Sequence, residues 1–162
     1  QGCSIQWRAA TEFRTRIADD GVQARLTSKV TSSPGRIAAL IASIPRHLQP
    51  MPDTVALIER LRTAGYRLGL LSNMPRPYAA HLEATHVCFD HFEHRSWSGR
   101  LGHIKPQREI FDHLRDAMAI DDVSRLVFID DHRGNVEAAR GLGWQAIHFT
   151  TAQACAAELS LS

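Results

Sequence analysis

Apolar residues recur at helical spacing in the first part of the chain and at strand spacing in the second. Trp7, Ala10, Phe13 and Ile17 fall roughly one helical turn apart. Ile37, Leu40, Ile41 and Ile44 form an i, i+3, i+4, i+7 stripe. Asp19-Asp20-Gly21 punctuates the first of these helices, and Thr31-Ser32-Ser33-Pro34 reads as the start of the second. Three prolines between Pro45 and Pro52 mark a boundary.

Beyond that boundary, helices and short apolar runs alternate. Asp53 is expected to cap a helix carrying Val55, Leu57, Ile58 and Leu61, and Gly65 to stop it. Arg67-Leu68-Gly69-Leu70-Leu71 has strand length and runs straight into Ser72-Asn73. A helix is expected over 76–84, followed by an aromatic, His-rich stretch and a loop over 98–102. Pro106 then opens a helix with Ile110, Phe111, Leu114 and Met118. Leu126-Val127-Phe128-Ile129 is a second buried strand ending in Asp130-Asp131. A helix from about Asn135 ends at Gly141-Leu142-Gly143, and Trp144 to Phe149 is a third strand. Strands separated by helices of this length predict an α/β fold, a Rossmann-like parallel sheet with helices on both faces.

Composition narrows the function classes. The 162 residues are 44% hydrophobic, which is one domain's worth of core. Nineteen Lys and Arg against 17 Asp and Glu leave a net charge of +2. Bulk charge therefore argues against nucleic-acid binding and against an acidic disordered tail. No apolar run approaches the ~20 residues needed to cross a bilayer, so no membrane partner is expected. Three widely spaced cysteines suit a reducing, cytoplasmic setting better than a disulfide framework. Lys29 and Lys105 are the only lysines.

Ligands of an open parallel sheet collect at the carboxyl ends of its strands. Ser72-Asn73 and Asp130-Asp131 stand at two such ends. Each pair alone is an ordinary start to a helix, and Lys105 alone is an ordinary loop lysine. Adjacent carboxylates at a strand end also suit a hard cation such as Mg²⁺. His86, Cys88, His91 and His94 invite a Zn²⁺ reading, but the stretch lacks a paired second half and contains Phe89 and Phe92, which read as core. His103 and His132 flank these sites as loop residues. Arg8, Arg14 and Arg16 read as a solvated helix face, while Trp7 and Phe13 read as packing residues.

Taken in chain order, Leu70-Leu71-Ser72-Asn73-Met74, then Gly102-His103-Ile104-Lys105-Pro106, then Phe128-Ile129-Asp130-Asp131 resemble motifs two, three and four of the haloacid dehalogenase (HAD) superfamily. The resemblance covers roughly residues 48–150 and is nearest to the subfamily with a helical cap after the first strand. It implies a HAD-like core over 48–162 and a partial helical cap over 1–47. It implies an aspartyl-phosphate mechanism on a small phosphate ester. Ser72, next to Asn73 in the same candidate catalytic set, would hydrogen-bond phosphoryl oxygens with the neighbouring backbone N–H groups assisting, and Lys105 would neutralise charge. Asp131 would bind Mg²⁺ directly, and Asp130 would be an orienting acid or a ligand through water. The paired acids favour a Mg²⁺-dependent phosphatase over a 2-haloacid dehalogenase. A receiver-type phosphoacceptor is disfavoured by order, because there the acidic pair precedes the lysine.

The family's nucleophile lies in an Asp-x-Asp motif at the end of the first strand, and no such pattern occurs in these 162 residues. The central strand itself is therefore expected to be missing, through truncation, cleavage or an incomplete record, or supplied by another chain. Turnover by this chain is expected to be negligible. An inactive HAD-fold binding or regulatory protein is the alternative.

Overall fold

The computed structural model describes residues 2–4 (backbone), 43–45 and 47–161. The helices read from Trp7 to Ile41, and the arginines among them, lie outside the described residues. Gln1–Trp7 and Pro50–Ser162 form one compact unit, and Arg8–Gln49 a second.

The first unit is built on five parallel strands: β1 (Gly2–Ser4), β2 (Arg67–Ser72), β3 (His94–Trp97), β4 (Leu126–Asp130) and β5 (Gln145–His148). Their spatial order is β3-β2-β1-β4-β5. The expectation of a missing central strand is overturned: β1 fills that slot, pairing with β2 on one side and β4 on the other. Ser4 stands level with Gly69 and with Phe128. Both neighbours run on past it, to Ser72 and Asp130. The slot needed neither an upstream segment nor a second chain. Gly2-Cys3-Ser4 carries no strand signature of its own; two unpaired edges impose extended backbone on it, as tertiary context regularly does. The segment 1–47, expected as cap, thus begins with a strand of the core sheet.

Helices link the strands: α1 (Pro52–Thr63), α2 (Arg76–Thr85), the single turn α3 (Ser98–Leu101), α4 (Arg108–Ala117), α5 (Arg133–Gly141) and α6 (Ala152–Glu158). Met51, not Asp53, is the N-cap of α1. Pro52 takes the first helical position, where a missing N–H costs nothing, and Asp53 meets the dipole from the first turn. Gly65 ends the helix at φ +84°, a left-handed conformation open to glycine at little cost. Two elements were not anticipated. β3 is a polar edge strand in place of an irregular aromatic stretch, and α3 is a helical turn in place of a loop.

Alternate residues of β2 and β4 are buried on both faces: Leu68 and Leu70 against Leu71, and Ile129 against Leu126 and Phe128. This is the continuous apolar run expected of a covered parallel sheet. On one face Ile110, Phe111 and Leu114 of α4 meet Leu71, Phe128, Ala139 and Trp144 in a single cluster. Among the described residues no helix is long and apolar enough to cross a membrane.

Cys88 and Cys155 are free and buried. Burial pushes the Cys155 thiol up to about 11, and the same cause raises Cys88. Because the thiolate is the reactive species, both are expected to resist iodoacetamide at pH 8 and to react once the chain is unfolded. Peptide mapping after alkylation checks this; modification of native Cys155 would contradict the burial.

Candidate functional site

At the carboxyl edge of the sheet, Ser72 ends β2, Asp130 ends β4, and the buried ammonium group of Lys105 bonds between the two strands. Lys105 follows α3 and returns beneath the ends of β2 and β4. Its Nζ donates to the Leu71 carbonyl at 2.9 Å and to Asp130 Oδ2 at 2.8 Å. Both side chains of this ion pair are fully buried. Leu71 and Asp130 each stand two residues beyond the partners of Ser4. Lys105 therefore ties β2 to β4 across the sheet position that β1 occupies. The Phe128 ring lies below it, with its centroid 5.7 Å from Nζ.

Asp130 uses its second oxygen as well. Oδ1 accepts from the main-chain N–H of His132 at 2.8 Å and from Asn135 Nδ2 at 3.1 Å. A fully buried carboxylate needs this set of donors, because an unpaired charge would be far more costly. Asp131 is half-buried in the turn that follows, and its carbonyl meets His148 Nε2 at 3.0 Å. Ser72 ends β2 and is buried.

The Asn73 side chain pairs with a neighbouring loop. Its amide faces the main chain of Lys105, donating Nδ2 to the carbonyl at 2.9 Å and accepting from the N–H at Oδ1 at 2.7 Å.

Two further contributors were absent from the sequence reading. Buried Ser98, which opens α3, accepts the Met74 N–H at 2.9 Å, and Gly99 N donates back to the Met74 carbonyl at 3.1 Å. A side chain at Gly99 would meet Arg76 N at 2.5 Å and Met74 O at 2.8 Å. α3 is thus seated on the segment that follows Ser72, and only glycine permits that approach. Glu83 on α2 holds α3 from outside, accepting from Trp97 Nε1 at 2.7 Å and from the Arg100 guanidinium through both oxygens. Burial pushes the Glu83 carboxyl up, but hydrogen bonds from Arg100 and Trp97 and the nearby Arg95 hold it below the ordinary glutamate range. The signal for Ser98 was a serine beginning a helix, and it was read as part of a loop.

Mg²⁺ needs about six oxygen ligands in near-octahedral geometry. Asp130 already has both oxygens engaged with Lys105, His132 and Asn135. Among the described residues no group of three or more His, Cys, Asp or Glu can hold a metal ion. His86, Cys88, His91 and His94 accordingly form no such group. Cys88 and Phe89 instead sit buried in a 3₁₀ turn over Val87–His91.

Comparison with known proteins agrees with this fold. The chain matches the haloacid dehalogenase-like hydrolase family over residues 4–143. A sesquiterpene phosphatase of Aspergillus oryzae, astK, is 27% identical over 146 residues, 90% of this chain and 74% of that protein. A HAD phosphatase from Thermococcus onnurineus superposes with a TM-score of 0.69 at 20% identity, covering 94% of this chain and 78% of its own. A HAD family enzyme from Bacteroides thetaiotaomicron, solved with magnesium and inorganic phosphate, superposes with a TM-score of 0.61 at 26% identity, covering 86% and 68%. The chain belongs to the HAD-like hydrolase family.

Proposed function

We propose that this is a phosphatase-type HAD protein whose sheet edge holds the phosphoryl group of a small phosphate ester, and that these 162 residues do not turn it over. The observation that carries the reading is the pairing of a retained cradle with an absent nucleophile. Ser72, Lys105 and Asp130 converge at the ends of β2 and β4. Yet the residues after the central strand, Ile5-Gln6-Trp7-Arg8-Ala9-Ala10-Thr11, include no carboxylate, and the first acid in the chain is Glu12. The phosphatase relatives support a phosphate ester as the ligand.

In this reading the Ser72 hydroxyl and the Asn73 main-chain N–H bind phosphoryl oxygens, while Lys105 supplies the positive charge that phosphoryl groups require. Asp130 orients Lys105 and limits its net charge. Without a carboxylate to attack phosphorus, no aspartyl-phosphate forms, and the P–O bond of the ester stays intact. Asp131 is the carboxylate that would meet a cation beside the bound phosphate, but no step is assigned to magnesium. Residues 8–49 are proposed as cap, the part that selects the alcohol carried by the phosphate. Free, buried cysteines agree with a cytoplasmic setting.

The expected result is no hydrolysis of p-nitrophenyl phosphate above blank by the 162-residue chain, with or without Mg²⁺. Inorganic phosphate is expected to bind, by calorimetry, and Mg²⁺ alone to give no saturable heat. A Mg²⁺-dependent rate would overturn the predicted inactivity. Absence of phosphate binding would overturn the recognition reading.

A further inference from the structure

We infer that the side chain of Asn73 is a positioning group that sets where Lys105 stands, rather than a contact to the ligand. The inference deepens the proposed phosphate site and depends on that reading only for its functional consequence. A lysine side chain has four rotatable bonds, so its ammonium finds a fixed point only if its main chain is also fixed. One amide does this here: Asn73 takes both the N–H and the carbonyl of Lys105, at 2.7 and 2.9 Å, across 32 positions of sequence. The side chain of Lys105 then runs back to Leu71, two residues before Asn73, and to Asp130.

The end of β2 thus grips Lys105 at three atoms: its N–H, its carbonyl and its Nζ. Ser98 holds the adjoining Met74 N–H, so the clamp is itself seated on packed backbone. Hydrogen bonds of 2.8 and 2.9 Å lose most of their strength when stretched beyond about 3.5 Å, so a slip of the Lys105 main chain by about 1 Å would release Nζ from both partners.

The chain's two lysines make the test direct. Lysine-selective ¹⁵N labelling yields at most two ammonium signals, and Lys105→Arg removes one and so assigns it. In Asn73→Ala the Lys105 signal is expected to shift and its protons to exchange with water at least 10-fold faster, while the amide spectrum stays dispersed. Gln107→Ala is the control: it removes a side-chain bond to the same loop, Ile104 N–H to Gln107 Oε1 at 2.9 Å, and is expected to leave Lys105 unchanged. An equal response in Gln107→Ala would mean general loosening of the loop and would overturn the inference. Asn73→Asp, nearly the same in shape but without the Nδ2 donor, is the second variant and is expected to move the signal in the same direction. An unmoved signal in a folded variant, or loss of fold in both, would overturn the positioning role. Phosphate added to the wild type separates the two readings. If it leaves the Lys105 signal unmoved, the phosphate site fails while the clamp between Asn73 and Lys105 stands.

Discussion

Replacing Lys105 by Met is expected to lower unfolding stability by about 3–5 kcal/mol, the usual cost of removing one partner from a buried ion pair. The Asp130 carboxylate would stay fully buried with the His132 N–H and Asn135 as donors but without its cation, and the Leu71 carbonyl would lose its ammonium. Desolvation drives the loss, so salt should change it little, unlike a surface pair. Adding Asp130→Asn to Lys105→Met removes the orphaned charge and is expected to recover about half of the loss, because Asn can still accept the two N–H donors at one oxygen. Urea titration of the two variants against wild type measures both effects. A loss below about 1 kcal/mol for Lys105→Met would put the pair in the class of exposed salt bridges and contradict its burial. The same lysine therefore serves stability and the proposed ligand site at once.

What was legible in the sequence, and what was not, follows from how local each signal is. β2 and β4 were readable because Leu68 to Leu71 and Leu126 to Ile129 are apolar runs bounded by polar strand ends, and those ends carry the proposed site. α4 was readable from the spacing of Ile110, Phe111 and Leu114. β1 was not readable, since nothing in Gly2-Cys3-Ser4 favours a strand except the two edges that flank it. β3 was hidden for the same reason: His94-Arg95-Ser96-Trp97 is a polar sequence that becomes a strand by pairing with β2 at the sheet's edge. Inferring a missing strand from a missing motif joined two questions that the structure separates. The strand is present, and the carboxylate pattern is absent from the residues that follow it. The side-chain bonds of Asn73 were out of reach because their partner is a main chain 32 positions away.

Truncating Phe111 to Ala is the other change expected to cost about 3–5 kcal/mol, through lost apolar burial together with the cavity left behind. Phe111 is fully buried on α4, and its ring meets Phe128 at 5.2 Å and Trp144 at 5.6 Å between centroids, both edge-on. Each such pair adds about 0.5–1.5 kcal/mol beyond area burial, so Phe111→Leu should lose part of this and cost less than Ala. The effect should reach the site. Phe128 lies two residues before Asp130 on β4, and its ring is the floor under the Lys105 ammonium. A cavity beside that ring gives it room to tilt, and the ammonium loses a fixed surface. Phe111→Ala is therefore expected both to lower the urea midpoint and to speed exchange of the Lys105 ammonium protons, with Phe111→Leu intermediate in both. A large loss of stability with Lys105 unchanged would show that β4 holds Asp130 rigidly without support from α4. The aromatic cluster would then bear on the fold alone and leave the site to the hydrogen bonds around Asp130.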